Sequence, residues 1–180
     1  VSIQSQISLI KQSVLDIVYP NNCTICSDEL TLNENFLCLN CKYDLPYVQQ
    51  SKSNVQSLNK LFWGRTDVEQ IFTLLNYQKG NQTQKVLHEL KYNGKTKLAT
   101  HFGQLLGEVI PKAIHFNYII PIPLHKKKQR LRGFNQSTMI ANGVSDITKI
   151  PVNEKFVVRN TPNKSQTNFT KYDRWDNVKS

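Results

Sequence analysis

The chain has four cysteines, and they fall into two pairs, Cys23-x2-Cys26 and Cys38-x2-Cys41, with eleven residues between the pairs. Two residues between paired cysteines let both thiolates turn toward one cation. Two such knuckles brought together make a tetrahedral four-sulfur shell that suits zinc. The spacer is somewhat shorter than is usual for paired sites of this kind, yet long enough for a ribbon or short hairpin to join the pairs. A shell of four thiolates is closed, so the zinc it implies is structural. It would hold together a module too small to bury a core, and would activate no water. The competing reading, two dithiol redox switches, needs one pair at the start of a helix that follows a strand. A disulfide scaffold is excluded, because four cysteines are too few to staple 180 residues.

A second concentration of chemistry lies in Ile119 to Gln136, IIPIPLHKKKQRLRGFNQ, where Lys126, Lys127, Lys128, Arg130 and Arg132 fall within seven positions. An apolar run ends at two prolines, and Gly133 allows close approach of backbone to a ligand. A basic, glycine-bearing loop at the end of a buried strand suits phosphate, since loops at the C-terminal ends of parallel strands are where α/β folds bind ligands. The whole chain carries a net charge of +10, and residues 121–180 contribute +8 of it against −1 from residues 1–60. Such clustering points to a polyanion or a phosphate-bearing partner; the alternative is a solvated basic face that keeps the protein in solution. The histidines His88, His101, His115 and His125 show no paired metal-ligand spacing, so only His125, beside the basic run, is a candidate site residue.

These residues need elements to position them. Ile3, Ile7, Ile10, Val14 and Val18 recur at helical spacing up to Pro20, which predicts an amphipathic helix packed on the rest of the protein. Residues 21–45 form the cysteine module, and the polar stretch 49–60 reads as a linker. The expected domains are therefore 1–48 and 61–180. In the second, the β-branched and aromatic content of 68–77 predicts a strand and Lys79-Gly80-Asn81 a turn. Val86, Leu87 and Leu90 predict one helix face, and Leu98, Phe102, Leu105, Leu106, Val109 and Ile110 a longer one that Pro111 ends. Residues 116–122 read as a buried strand running into the basic loop. Asn135 reads as the cap of a helix with Met139, Ile140 and Val144 inward, and 155–159 as a further strand. Residues 160–180 are a long polar loop. Alternation of helix and strand predicts an α/β domain with a mainly parallel sheet. With 39% hydrophobic residues the chain is no disordered basic tail, and no apolar run approaches the ~20 residues of a membrane span, so a cytoplasmic location is expected.

The four-cysteine module, then LKYNGKTKLA at Leu90 to Ala99, then PIPLHKKKQRLRGFNQ at Pro121 to Gln136, closely resembles the ComF/GntX family of competence-associated, phosphoribosyltransferase-like proteins. The late segment RNTPNKSQTNFTKYDRWDNV is similar to that family's stretch of Arg, Thr, Gln and Arg-x-x-Asn-Val, so the resemblance covers nearly the whole chain. It implies a zinc finger on a type I phosphoribosyltransferase-like domain, serving natural transformation and the uptake or processing of single-stranded DNA. The partners it implies are a DNA-processing protein and a competence helicase. Pro121 to Leu124 and His125 would lie in a pyrophosphate-side loop, and residues 160–177 in a mobile loop over the site, with Lys164, Gln166 and Arg174 as contacts. The expected phosphate, pyrophosphate or nucleic-acid residues are thus His125, Lys126, Lys127, Lys128, Arg130, Arg132, Gly133, Asn135, Lys164 and Arg174. Phe134, Tyr172 and Trp175 could stack bases.

Enzymes of the fold so implied hold phosphoribosyl pyrophosphate, with Mg2+, through two adjacent acids and a Thr/Gly loop that follow an apolar strand. Here the adjacent acids are Asp28-Glu29, inside the cysteine module, and the sequence stops at Ser180, where that strand would begin. The expectation is that this element lies beyond Ser180. Two functions remain open: a DNA-handling protein that keeps the fold, or an active Mg2+-dependent (amido)phosphoribosyltransferase acting on a small-molecule acceptor.

Overall fold

The computed structural model describes residues 21–49, 58–60, 62, 64, 67–92 and 94–161. The predicted helix over 3–18, most of the linker, and Lys164, Gln166, Tyr172, Arg174 and Trp175 lie outside the described residues. Among the described residues the bounded helices are, in order, α1 Leu39–Tyr43, α2 Gln82–Tyr92, α3 Thr96–Val109, α4 Lys126–Arg132 and α5 Gln136–Thr148. No helix among the described residues is long and apolar enough to cross a membrane.

Two compact units form, one from Val1–Val48 with Leu75–Glu89 and the other from Gln49–Leu74 with Leu90–Ser180. The chain leaves the first unit where the polar stretch begins, then returns to it. Tyr47 and Leu75 make an antiparallel bridge, and the Asn76 N–H donates to the Pro46 carbonyl at 2.8 Å. The turn expected at residues 79–81 follows, with Gly80 at φ 89°. Asn81 Oδ1 accepts from the Gln84 N–H at 3.2 Å while Gln84 Oε1 accepts from the Gly80 N–H at 2.6 Å, a reciprocal arrangement that starts α2. Thr83 and Val86 turn inward from α2, and Val86 joins Ile25, Leu30, Leu37 and Leu45 in being buried. The cysteine module therefore does have a small apolar core, because the returning segment brings side chains to it.

In the second unit α3 and α5 pack face to face. Leu98, Ala99 and Phe102 are buried on α3, and Thr138, Ala141 and Val144 on α5. The helices approach at glycines. A Cβ on Gly143 would run into the Thr100 carbonyl oxygen and stand 2.8 Å from the Gln104 nitrogen, and one on Gly103 would run into the Ile140 carbonyl oxygen. Of the residues predicted to face inward from α5, Val144 is buried and Met139 and Ile140 are half-buried. Gln104 Nε2 donates to Asp146 Oδ2 across the pair at 3.2 Å.

The sheet is smaller than the sequence suggests. Among the described residues there are three isolated bridges and no extended strand, so the mainly parallel sheet is not formed there. One bridge is parallel: the Ile119 N–H donates to the Pro151 carbonyl and the Asn153 N–H to the Ile119 carbonyl, both at 2.9 Å. The partner of 116–122 is thus Val152, and the 155–159 stretch read as a strand is an open bend. Residues 68–77 contribute only the bridge at Leu75. An apolar, β-branched run becomes a strand only where a second run pairs with it, which composition does not reveal.

Candidate functional site

The first knuckle is a tight turn. The Ser27 N–H donates to the Cys23 carbonyl at 2.9 Å and the Cys23 N–H to the Asp28 carbonyl at 2.7 Å, with Ser27 in the left-handed region at φ 67°. The second knuckle is the start of α1. Cys38 is its N-cap, and its sulfur accepts from the Cys41 N–H at 3.5 Å. Glu34 holds the spacer between them. Its Oε2 accepts from the Thr31 N–H at 2.8 Å and the Thr31 hydroxyl at 2.9 Å, and its Oε1 accepts from the Leu39 N–H at 2.6 Å. These donors hold the Glu34 carboxyl below its usual range. At the other end of α1 the Gln82 amide, with its nitrogen facing the helix, donates to the carbonyls of Asp44 at 3.2 Å and Cys41 at 3.3 Å.

The result is a compact cluster. The ligand atoms of Cys23, Cys26, Cys38 and Cys41 all lie within 4.8 Å of one another, and the four could hold a metal ion. Cys26 and Cys38 sulfurs are 3.7 Å apart. A zinc ion bonded to four sulfurs at about 2.3 Å puts those sulfurs ~3.8 Å apart, whereas a disulfide needs about 2.05 Å. All four cysteines are unbridged. The protons tell the same story. Burial opposes ionisation of Cys23, yet the N–H groups of Cys26, Cys38 and Ile25 aimed at it bring it down to about 6. Burial and then the sulfurs of Cys26, Cys38 and Cys23 push Cys41 far up. Cys26 rises to about 11, because desolvation, the Asp28 carboxylate and Cys23 outweigh the Asp28 N–H. One sulfur is ready to be a thiolate and its neighbours resist joining it, a conflict that a divalent cation removes. The Cys38 pair does sit at a helix start, as a redox site would. The opposite pair drawn onto it is what the redox reading lacks.

The basic segment, expected as a loop, is helix α4. His125 caps it, with Nδ1 accepting from the Lys127 N–H at 3.2 Å. Gly133 ends it in the left-handed region at φ 79°, its N–H donating to the Gln129 carbonyl at 2.8 Å. Nothing lies within 4 Å of where a Gly133 Cβ would be, so this glycine serves the chain reversal and not a close approach. Lys, Gln, Arg and Leu are strong helix formers, and the cap residues supply both ends. Asn135 caps α5 as expected, Oδ1 accepting from the Ser137 N–H at 3.1 Å, while its Nδ2 donates to the Ile122 carbonyl at 3.1 Å. Phe134 is half-buried.

Lys126, Lys127 and Arg130 are exposed on α4, and Lys128 and Arg132 are half-buried. Arg132 donates to Gln136 Oε1 at 3.3 Å. Lys128 is lowered from its usual range by desolvation and then by Arg132 and Arg159, so Arg159 belongs to the same cationic field. Sequence reading passed over Arg159 because it stood at the end of a supposed strand. Residues from both sides of the parallel bridge line a groove of about 370 Å3: Pro121, Pro123 and Leu124 from one, Glu154 and Val157 to Asn160 from the other, with Lys126 and Asn135. Lys126 and Asn135 are thereby brought together, His125 is not part of that lining, and Lys164 and Arg174 fall outside the described residues. No family model, curated protein or solved structure matches this chain.

Proposed function

We propose that this is a structural-zinc protein that binds phosphate-bearing polymers, and specifically a ComF-like protein that handles single-stranded DNA in natural transformation. The zinc would be held by Cys23, Cys26, Cys38 and Cys41, and its contribution is to fix two knuckles and α1 around a small core; with four thiolates it leaves no open position for substrate. The observation that carries the DNA reading is the position of α4. Five cations on the seven residues of α4 stand next to a groove that Lys126 lines, beside the parallel bridge of Ile119 with Val152. Binding would come mainly from displacing counterions from phosphates, which needs no base contact and tolerates any sequence. A DNA-processing protein and a competence helicase are partners by the resemblance alone.

The test is fluorescence anisotropy of a labelled oligothymidine with the zinc-loaded chain over a salt series. Binding that weakens steeply with salt supports the reading; no binding at low salt, or affinity indifferent to salt, ends it. The second reading, phosphoribosyl pyrophosphate with Mg2+, is favoured by the size of the groove. Calorimetry with that compound and Mg2+ tests it, and absence of heat at millimolar ligand would remove it.

A further inference from the structure

We infer that Gln82 is a positioning residue of the zinc site and that residues 75–89 complete the cysteine module, so that metal binding and the docking of the first half of α2 are one event. This rests on the zinc reading above and extends it to a segment far along the chain from the last ligand, Cys41.

Three observations lead there. The first is a clamp. Cys38 caps α1 and Cys41 lies within it, yet the helix has only five residues, and the carbonyls at its end have no partners inside it. The Gln82 amide donates to two of the carbonyls there, those of Cys41 at 3.3 Å and Asp44 at 3.2 Å. It therefore holds the backbone of a ligand residue directly. The second is a brace. The chain leaves α1 through Leu45 and Pro46, and the returning segment is fastened just beyond: Tyr47 pairs with Leu75, and the Asn76 N–H donates to the Pro46 carbonyl at 2.8 Å. The Asn76 carbonyl in turn accepts from the Thr83 hydroxyl at 2.9 Å and from Asn81 Nδ2 at 3.1 Å, which sets the start of α2 and Gln82 with it. Thr83 is 4% exposed, so water competes little for this link.

The third is the core. Val86, 1% exposed, belongs to the same compact unit as Leu37 and Leu45, buried on either side of the second cysteine pair. A module of four thiolates with few apolar side chains folds together with its metal. Once that fold is lost, residues 75–89 lose the partners of Asn76, Gln82 and Val86 together. The unit ends inside α2, after Glu89, although the helix itself continues to Tyr92.

Gln82 permits a test by charge, because it clamps the end of α1 and is also the first residue of α2. A positive side chain is favourable at a helix end and a negative one at a helix start. Zinc affinity of the full chain is read in competition with a chromophoric chelator. If Gln82 acts on α1, Gln82→Lys keeps a donor and the parent's affinity, Gln82→Ala binds zinc about tenfold more weakly, and Gln82→Glu is weaker still. If it only starts α2 the order reverses, with Gln82→Glu best and Gln82→Lys worst. The second measurement is hydrogen exchange of the full reduced chain with and without zinc. Removal should raise exchange over 21–48 and also over 75–89, while α3 and α5, in backbone contact at Gly103 and Gly143, keep their protection. The reversed order, equal zinc affinity of parent and variants, protection over 75–89 that survives zinc removal, or a rise that runs equally through α3 and α5 overturns this inference and leaves the four-sulfur site standing. If the parent takes up no zinc, the zinc reading itself fails.

Discussion

Removing Lys126 and Arg130 together probes the basic helix directly. The two lie one turn apart on α4, about 6 Å along its axis, and line a shared depression with Gln129 and Gly133. Lys128 and Arg132 are half-buried and Arg132 is engaged by Gln136, so the exposed cations of α4 that can meet one strand are Lys126, Lys127 and Arg130. Three phosphate contacts on a single strand give a slope of log affinity against log salt of about −2. Affinity should then fall about 20-fold between ~50 and ~200 mM salt. With Lys126→Ala and Arg130→Ala, one contact remains, the slope relaxes to about −0.7, and the same salt change costs only about threefold. Anisotropy of a labelled oligothymidine over the salt series measures both slopes. Both side chains are exposed, so the variant's unfolding should stay within about 0.5 kcal/mol of the parent's. An unchanged slope in the folded double variant would refute the assignment of these side chains to phosphate.

Gly143→Ala should destabilise the α3–α5 unit by about 3 kcal/mol or more in urea unfolding, because its Cβ meets backbone of Thr100 and Gln104; Gly133→Ala, strained only by its left-handed φ of 79°, should cost about 1 kcal/mol. Glu34→Gln should weaken zinc binding roughly tenfold in competition with a chromophoric chelator, since it loosens the spacer that sets Cys38 against Cys23. The parent's Glu34 clamp has the opposite dependence to a base: its folded pKa is depressed, so it contributes fully above the ordinary carboxylate range and is lost as pH falls through the lowered value. Zinc binding at pH 7 should release at least two protons per ion, from Cys26 and Cys41, whose thiols are held protonated, while Cys23 at about 6 is already mostly ionised; calorimetry in buffers of different ionisation enthalpy counts them, and affinity should rise with pH.

The cysteine site was legible because ligand geometry is written into short spacings. Two residues between cysteines constrain a turn wherever the turn occurs, and Glu34 ties the spacer from within the same short segment. The long helices were legible for a similar reason: Leu98 and Phe102 mark a stripe whose period is local. Tertiary events were not. The same β-branched content that suggested strands at 68–77 and 155–159 yields one bridge and one bend, because pairing depends on a partner run. KKKQRLR looked like a loop by its position after two prolines, although its residues favour a helix and His125 and Gly133 cap one. The close crossing of α3 and α5 left a trace that went unused, Gly103 and Gly107 four apart and Gly143 mid-helix, where glycine otherwise only costs stability. Residues 75–89 rejoin the cysteine unit through Leu75, Asn76 and Gln82, contacts that a polar linker between two domains gives no reason to expect.

Cys23, Cys26, Cys38 and Cys41 are proposed to hold one zinc ion in a closed four-sulfur shell. X-ray absorption at the zinc edge of the purified chain measures it in a single spectrum. The account predicts one zinc per chain with four sulfur neighbours at about 2.3 Å and no nitrogen or oxygen in the shell. A mixed shell, or metal-free protein whose cysteines are joined as disulfides, would contradict it.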